Sequence, residues 1–161
     1  MTDIQTTTPA LTTDPEVAAA AAQFLTPVVH GLQALVVNGK QAHWNVRGSN
    51  FIAVHELLDS VVEHAQDYAD TAAERIVALG LPIDSRLSTI AAKTSTAVPA
   101  GFAQWRDEIK AVVADIDATL VDLNAAIDGL DEVDLTSQDV AIEIKRGVEK
   151  DRWFLMAHLA E

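Results

Sequence analysis

The stretch KQAHWNVRGSNFIAVHELLD, residues 40–59, decides the fold. It sets His43 and His55 on either side of a Gly-Ser-Asn break, in a chain that elsewhere reads as amphipathic helix. Gly48 supplies the left-handed residue that closes one helix, and Ser49 or Asn50 the cap that opens the next. Upstream, the TDPE stretch offers Thr13 or Asp14 as an N-cap, Pro15 in the first turn and Glu16 well placed for the helix dipole. One helix is therefore expected from there to about Val46, with Thr26-Pro27 either kinking or restarting it. Downstream, a second helix is expected from Phe51 to about Leu79, closed by Gly80 and Pro82.

The rest of the chain continues the pattern. SRLSTIAAK, residues 85–93, reads as a short helix inside a long connection, and TAVPAG as a loop. Two further long helices are expected, from about Phe102 to Ile127 and from about Ser137 to Ala160. With seven Gly, five Pro and little strand-type alternation in 161 residues, the fold class is all-α. The expected architecture is a four-helix bundle with a short extra helix in the connection between the second and third helices. Residues 1–13, Thr-rich and without periodicity, read as a flexible N-terminal tail, and 14–161 as the bundle domain.

Composition narrows the function. There is no cysteine, which excludes a disulfide scaffold and any thiolate metal site. A net charge of -13 disfavours phosphate backbones and anionic lipid, and draws cations into any acidic cleft. The N-terminus has neither the basic start nor the apolar core of a signal peptide, and no run of roughly eighteen apolar residues stands out. A soluble cytoplasmic protein with no membrane partner is the expectation.

The second helix carries His55, Asp59, Asp70 and Glu74. At about 100° per residue, with Asp59 at zero, Asp70 falls near 20°, His55 near -40° and Glu74 near 60°, so all four share one face. The 55/59 and 70/74 pairs are nonetheless centred about 22 Å apart along the axis, too far for one ion to touch both. Two copies of the helix packed antiparallel about a dyad near residue 64 or 65 would solve this, setting the 55/59 pair of one chain against the 70/74 pair of the other. His43 would join if the turn at Gly48 folds the first helix back beside the second. Imidazole with carboxylate suits iron, manganese or zinc, and an open coordination sphere favours iron redox chemistry. The plain alternative is that Asp59, Asp70 and Glu74 form an ordinary solvated face and the two histidines are structural.

Lys40, His43-Trp44-Asn45, Gly48, Phe51, His55-Glu56, Asp59, Asp70 and Ala73-Glu74-Arg75 resemble, in identity and spacing, the signature of the Dps family, the DNA-binding proteins from starved cells or mini-ferritins. The resemblance implies a ferroxidase centre in which His43, His55 and Asp59 come from one subunit and Asp70 and Glu74 from its two-fold mate. It implies a dodecameric shell that oxidises Fe(II), preferentially with hydrogen peroxide, and stores ferric mineral inside, protecting against oxidative stress. Two iron positions per site are implied, with zinc or manganese not excluded. Lys40 resembles the family lysine that forms ion pairs beside the site, and Trp44 would lie close enough to the metals to intercept radical equivalents. The Glu-x-x-His tetrapeptide of bundle-centred di-iron proteins is absent from the sequence, which independently favours an intersubunit site.

The stretch DGLDEVDLTSQD, residues 128–139, has two readings. Thr136 and Asp139 could simply help to cap the fourth helix. In a shell, Asp128, Asp131, Asp134 and Asp139 would instead be multiplied by symmetry into an acidic pore that concentrates Fe(II). Glu63, His64 and Asp67 fall off the ligand face and read as packing or surface groups. His30 and His158 read as structural, and Trp105 and Trp153 as core or interface aromatics. No Lys or Arg precedes Lys40, and the sequence ends at Glu161 without a basic run, so DNA binding is expected to be weak or absent. Two rivals to iron storage remain: a metal-dependent hydrolase of ester or amide bonds using the same His/carboxylate site, and a non-catalytic nucleoid protein, which the acidic charge disfavours.

Overall fold

A computed structural model describes residues 13–160; the expected tail over residues 1–13 lies, apart from Thr13, outside the described residues. The elements run α1 (Pro15–Asn45), β1 (Val46–Arg47), α2 (Phe51–Ala78), α3 (Leu87–Lys93), β2 (Ala103–Gln104), α4 (Trp105–Leu130) and α5 (Leu135–Ala157). α1 packs against α2 and α4, and α5 closes the bundle against α4 and α2.

Each long helix buries a stripe stepping by three and four residues, the spacing that keeps side chains on one face. On α1 it is Ala18, Ala21, Leu25, Val28, Leu32, Leu35 and Ala42; on α4 it is Trp105, Ile109, Val112, Ile116, Leu123, Ala126 and Leu130. α2 contributes Val54, Leu58, Val61, Ala65, Ala69, Ala72 and Ile76, and α5 contributes Ala141, Ile144, Val148 and Leu155. Each fully buried Leu or Ile stabilises the fold by about 1.5 to 3 kcal/mol. Asp151 occupies a core position of the α5 stripe, and there His64 of α2 donates Nδ1–H to it at 2.9 Å. Small residues set the approach between helices: Gly147 lies under the Tyr68 hydroxyl, where a Cβ would come within 1.9 Å of the oxygen.

Pro27 neither breaks nor restarts α1. It removes one backbone donor from an otherwise continuous helix, while Thr26 donates its hydroxyl to the Ala22 carbonyl at 2.6 Å. Among the two candidate caps, Asp14 is the one that accepts, from the Glu16 amide at 2.8 Å. α1 is also long and apolar enough to cross a membrane, contrary to the reading of the sequence; in the bundle its Leu25, Val28, Val29, Leu32 and Leu35 form core.

α4 starts at Trp105 rather than Phe102, because Ala103 and Gln104 pair in parallel with Val46 and Arg47. It runs three residues beyond Ile127 to Leu130. α5 starts at Leu135, capped by Asp134 accepting from the Thr136 amide at 3.3 Å, and not by Thr136 or Asp139. At the far end of α2, Gly80 has φ 89°. There the Gly80 amide donates to the Val77 carbonyl at 2.9 Å and the Leu81 amide to Ile76 at 3.3 Å. This left-handed closure satisfies carbonyls that the helix end would otherwise leave open.

Candidate metal centre

The corner between α1 and α2 brings the two histidines together. Gly48 sits there at φ 118°, a conformation costly for any residue with a Cβ. A Cβ at Gly48 would also lie 2.7 Å from the buried Trp105 ring and 2.7 Å from the Gln104 side chain. The β1 to β2 pairing pins this corner to the entry of α4, so the reversal of chain direction is fixed from both sides.

Across the corner the His43 and His55 rings stack, with centroids 3.6 Å apart and planes 21° from parallel. His43 Nδ1 lies 2.9 Å from the His55 carbonyl oxygen, and His55 Nδ1 lies 2.9 Å from the His43 carbonyl oxygen. A carbonyl can only accept, so each Nδ1 carries a proton and donates it, which leaves Nε2 as the nitrogen whose lone pair can meet a metal. This is the arrangement that orients an imidazole for a metal, with the far nitrogen anchored and the near one free. Asp59 Oδ1 is 3.4 Å from His43 Nδ1, too long to compete with the carbonyl for that proton. His43 is buried and His55 partly so, and Phe51 stands 5.0 Å from the His55 ring.

One turn along α2 from His55, Asp59 accepts a close hydrogen bond from Lys40 Nζ. That bond is the chief reason its carboxyl lies below the ordinary carboxylate range; partial burial opposes the shift, and the charges of His43, Lys40 and His55 add to it. Asp59 is therefore an ionised acceptor already paired with an ammonium.

Asp70 and Glu74 are exposed near the other end of α2, the first of them about 16 Å along the axis from Asp59 at 1.5 Å per residue. Within one chain, no group of three His, Asp or Glu among the described residues is arranged to hold a metal ion. Each end of α2 thus presents part of a candidate ligand set. Large apolar side chains stand exposed near the histidine end, Trp44 at 68 %, Ile52 at 61 % and Phe51 at 37 %, which is unusual for a surface that meets only water.

The four candidate pore acids divide. Asp128, Asp131 and Asp139 are exposed, Asp131 accepting from Gln138 Nε2 at 3.3 Å. Asp134 is turned inward and held by Arg75 at 2.7 Å, a contact to which no pattern in the sequence points. The remaining histidines have structural partners: His30 Nε2 donates to the Asp84 carbonyl at 2.8 Å, and His158 Nδ1 lies 2.8 Å from Asn50 Nδ2. Trp105 is core, whereas Trp153 is 64 % exposed and packs edge-on against Phe154.

The family pattern described as a ferritin-like domain matches residues 23–161. The DNA protection during starvation protein of Agrobacterium fabrum is 37% identical over 124 residues, which cover 76% of each chain. The protein of the same name from Mycolicibacterium smegmatis is 39% identical over 124 residues, covering 74% of this chain and 66% of its own. Among solved structures, that of Dps from Microbacterium arborescens in the high iron form is 90% identical, with a TM-score of 0.93 over 94% of this chain and 100% of that one. The chain belongs to the Dps family, the mini-ferritins of the ferritin-like fold.

Proposed function

We propose that this protein takes up Fe(II), oxidises it at a centre shared between two copies of the chain, and stores the ferric product within a closed homo-oligomeric shell. Fe(II) is the substrate and cargo. The observation that carries the reading is the division of ligands along α2. His43, His55 and Asp59 gather at one end, and Asp70 and Glu74 stand at the other on the same face. An antiparallel pair of α2 helices then makes two complete sites about one dyad. The family the chain belongs to, and its likeness to a Dps solved in a high iron form, support iron over zinc or manganese.

In this reading the two Nε2 lone pairs and the Asp59 carboxylate bind the incoming cation, which displaces the Lys40 ammonium. Asp70 and Glu74 of the second copy complete the sphere and hold a second ion. Hydrogen peroxide is the proposed oxidant: two Fe(II) give up one electron each, the O–O bond takes both with two protons, and two waters leave beside two Fe(III). Trp44, exposed beside the site, is the proposed sink for any one-electron leakage. Twelve copies form the proposed shell, with the Asp128, Asp131 and Asp139 corners proposed to gather Fe(II) at its entrances. The acidic balance makes weak or absent DNA binding part of the proposal.

The test is anaerobic loading with Fe(II) followed by peroxide, read by ferric absorbance. Wild-type protein oxidises about two Fe(II) per peroxide, and Asp59→Ala or Glu74→Ala loses the rapid phase. Equal rates in wild type and both variants would remove the site from the reaction.

A further inference from the structure

The corner between α4 and α5 carries an interaction that the ligand set does not explain. Arg75 follows Glu74 directly and points its guanidinium across to the first turn of α5. There Nη2 donates to Asp134 Oδ2 at 2.7 Å and Nε donates to the Ser137 hydroxyl at 2.9 Å. Ser137 is fully buried and passes its own proton to the same carboxylate oxygen at 2.5 Å, while Asp134 Oδ1 accepts from the Thr136 amide. Every polar edge of the carboxylate that faces the protein is thus used. The Asp134 and Arg75 side chains are 13 % and 22 % exposed, far less than the acids around them.

Position gives this network its meaning. α2 ends at Ala78, so Glu74 lies in the penultimate turn and Asp70 one turn earlier, where helices open most readily because the final carbonyls lack helical partners. The closure at Gly80 satisfies the backbone. Alongside the core packing of Ala72 and Ile76, the Arg75 fork is the polar side-chain contact that ties this turn to α5. A guanidinium fixes both distance and orientation through paired donors, which a lysine ammonium cannot reproduce.

We infer that Arg75 and Asp134 form one positioning unit that holds the Asp70/Glu74 half-site in place, so that Asp134 acts through Arg75 and not as a free carboxylate lining an entrance. The inference rests on the proposed reading of Asp70 and Glu74 as iron ligands. Neither Arg75 nor Asp134 touches the metal. Their removal lets the end of α2 move, and the cost appears as weaker capture of Fe(II) and not as a slower step once iron is bound.

The experiment uses the assembled full-length protein and measures KM and kcat for Fe(II) oxidation in Arg75→Gln, Asp134→Asn, the double variant, Arg75→Lys and Ser137→Ala. Arg75→Gln and Asp134→Asn should each raise KM for Fe(II) about tenfold, the usual scale for losing a group that orients a ligand, with kcat within about twofold of wild type. The double variant should be no worse than either single one, because both remove the same unit. Arg75→Lys should fail to restore KM. Additive losses in the double variant, or a wild-type KM in Arg75→Gln, would overturn the inference. If Arg75→Gln does not assemble, Ser137→Ala decides: it keeps the ion pair and loses one leg of the fork, so KM rises about threefold, and an unchanged KM counts against the proposal. Glu74→Ala separates the two levels. Full activity in that variant sinks the iron-site reading itself, whereas a dead Glu74→Ala beside a wild-type Arg75→Gln sinks only the positioning role.

Discussion

At the scale of single residues, neighbours set the histidine tautomers and hold the Asp59 charge at one end of the candidate site. The reciprocal bonds between His43 and His55 fix both tautomers before any cation arrives. In the proposed centre, Lys40 and an incoming cation compete for the same Asp59 oxygen. The pair is more than a third exposed, so screening keeps its worth to about 1 kcal/mol or less. Lys40→Met should therefore tighten Co(II) binding at pH 7 by up to about fivefold in a spectroscopic titration; weaker binding would show that Lys40 supports the site instead of guarding it. Away from the site, Glu108 is fully buried with neither carboxylate oxygen hydrogen-bonded. Burial first, and the charge of Asp107 second, push its carboxyl from 4.5 up to about 7. Because the folded value is raised, the acid favours folding fully below its ordinary range, and that contribution is lost as pH climbs through about 7. Glu108→Gln should raise the melting temperature at pH 8.5 by about 5 °C and leave it nearly unchanged at pH 5; an equal shift at both pH values would contradict this. The candidate residues at 43, 55, 59, 70 and 74 can be picked out from the sequence, since helical periodicity alone puts the last four on one face. The histidine tautomers cannot, because they depend on two carbonyls brought opposite each other by the corner. Nor does anything mark Glu108, since an acid in a first helical turn is ordinary.

At the scale of elements, long periodic stripes announce themselves and two-residue pairings do not. α1 and α2 fall within a residue or so of where Pro15, Gly48 and Gly80 put them, because Pro at a start and Gly at an end act locally. The β1 to β2 bridge has no period to detect, and it alone moved the start of α4 from Phe102 to Trp105. Asp134 took the cap of α5 from Thr136 and Asp139 for a similar reason: Arg75, far away in sequence, holds it in place. The corner at Gly48 is the element on which the site depends most. Gly48→Ala should cost about 1 to 3 kcal/mol from the positive φ and the meeting with Trp105. It should also lower Fe(II) oxidation more than an equally destabilising core substitution such as Ile144→Val, since it separates His43 from His55. Chemical denaturation beside the ferric assay checks both parts, and unchanged stability would mean that the corner tolerates a side chain.

For the whole molecule, a single chain is an incomplete object. Its proposed ligands are split between two ends of one helix, and Trp44, Phe51 and Ile52 stand uncovered beside the histidines. The bundle was legible from apolar spacing, and the need for a second copy from the distance between the two ligand pairs along α2; the surfaces that join further copies have no comparable pattern. The central claim is that two chains each supply half of a centre. It is tested most directly by mixing Asp59→Ala chains with Glu74→Ala chains, unfolding and reassembling them together, and following ferric absorbance after Fe(II) and peroxide. In a mixed pair one site carries both lesions and the other carries none. Random pairing should then restore about a quarter of the wild-type sites from two inactive parents. Activity no higher than that of either parent, in shells shown to contain both chains, would contradict a shared centre.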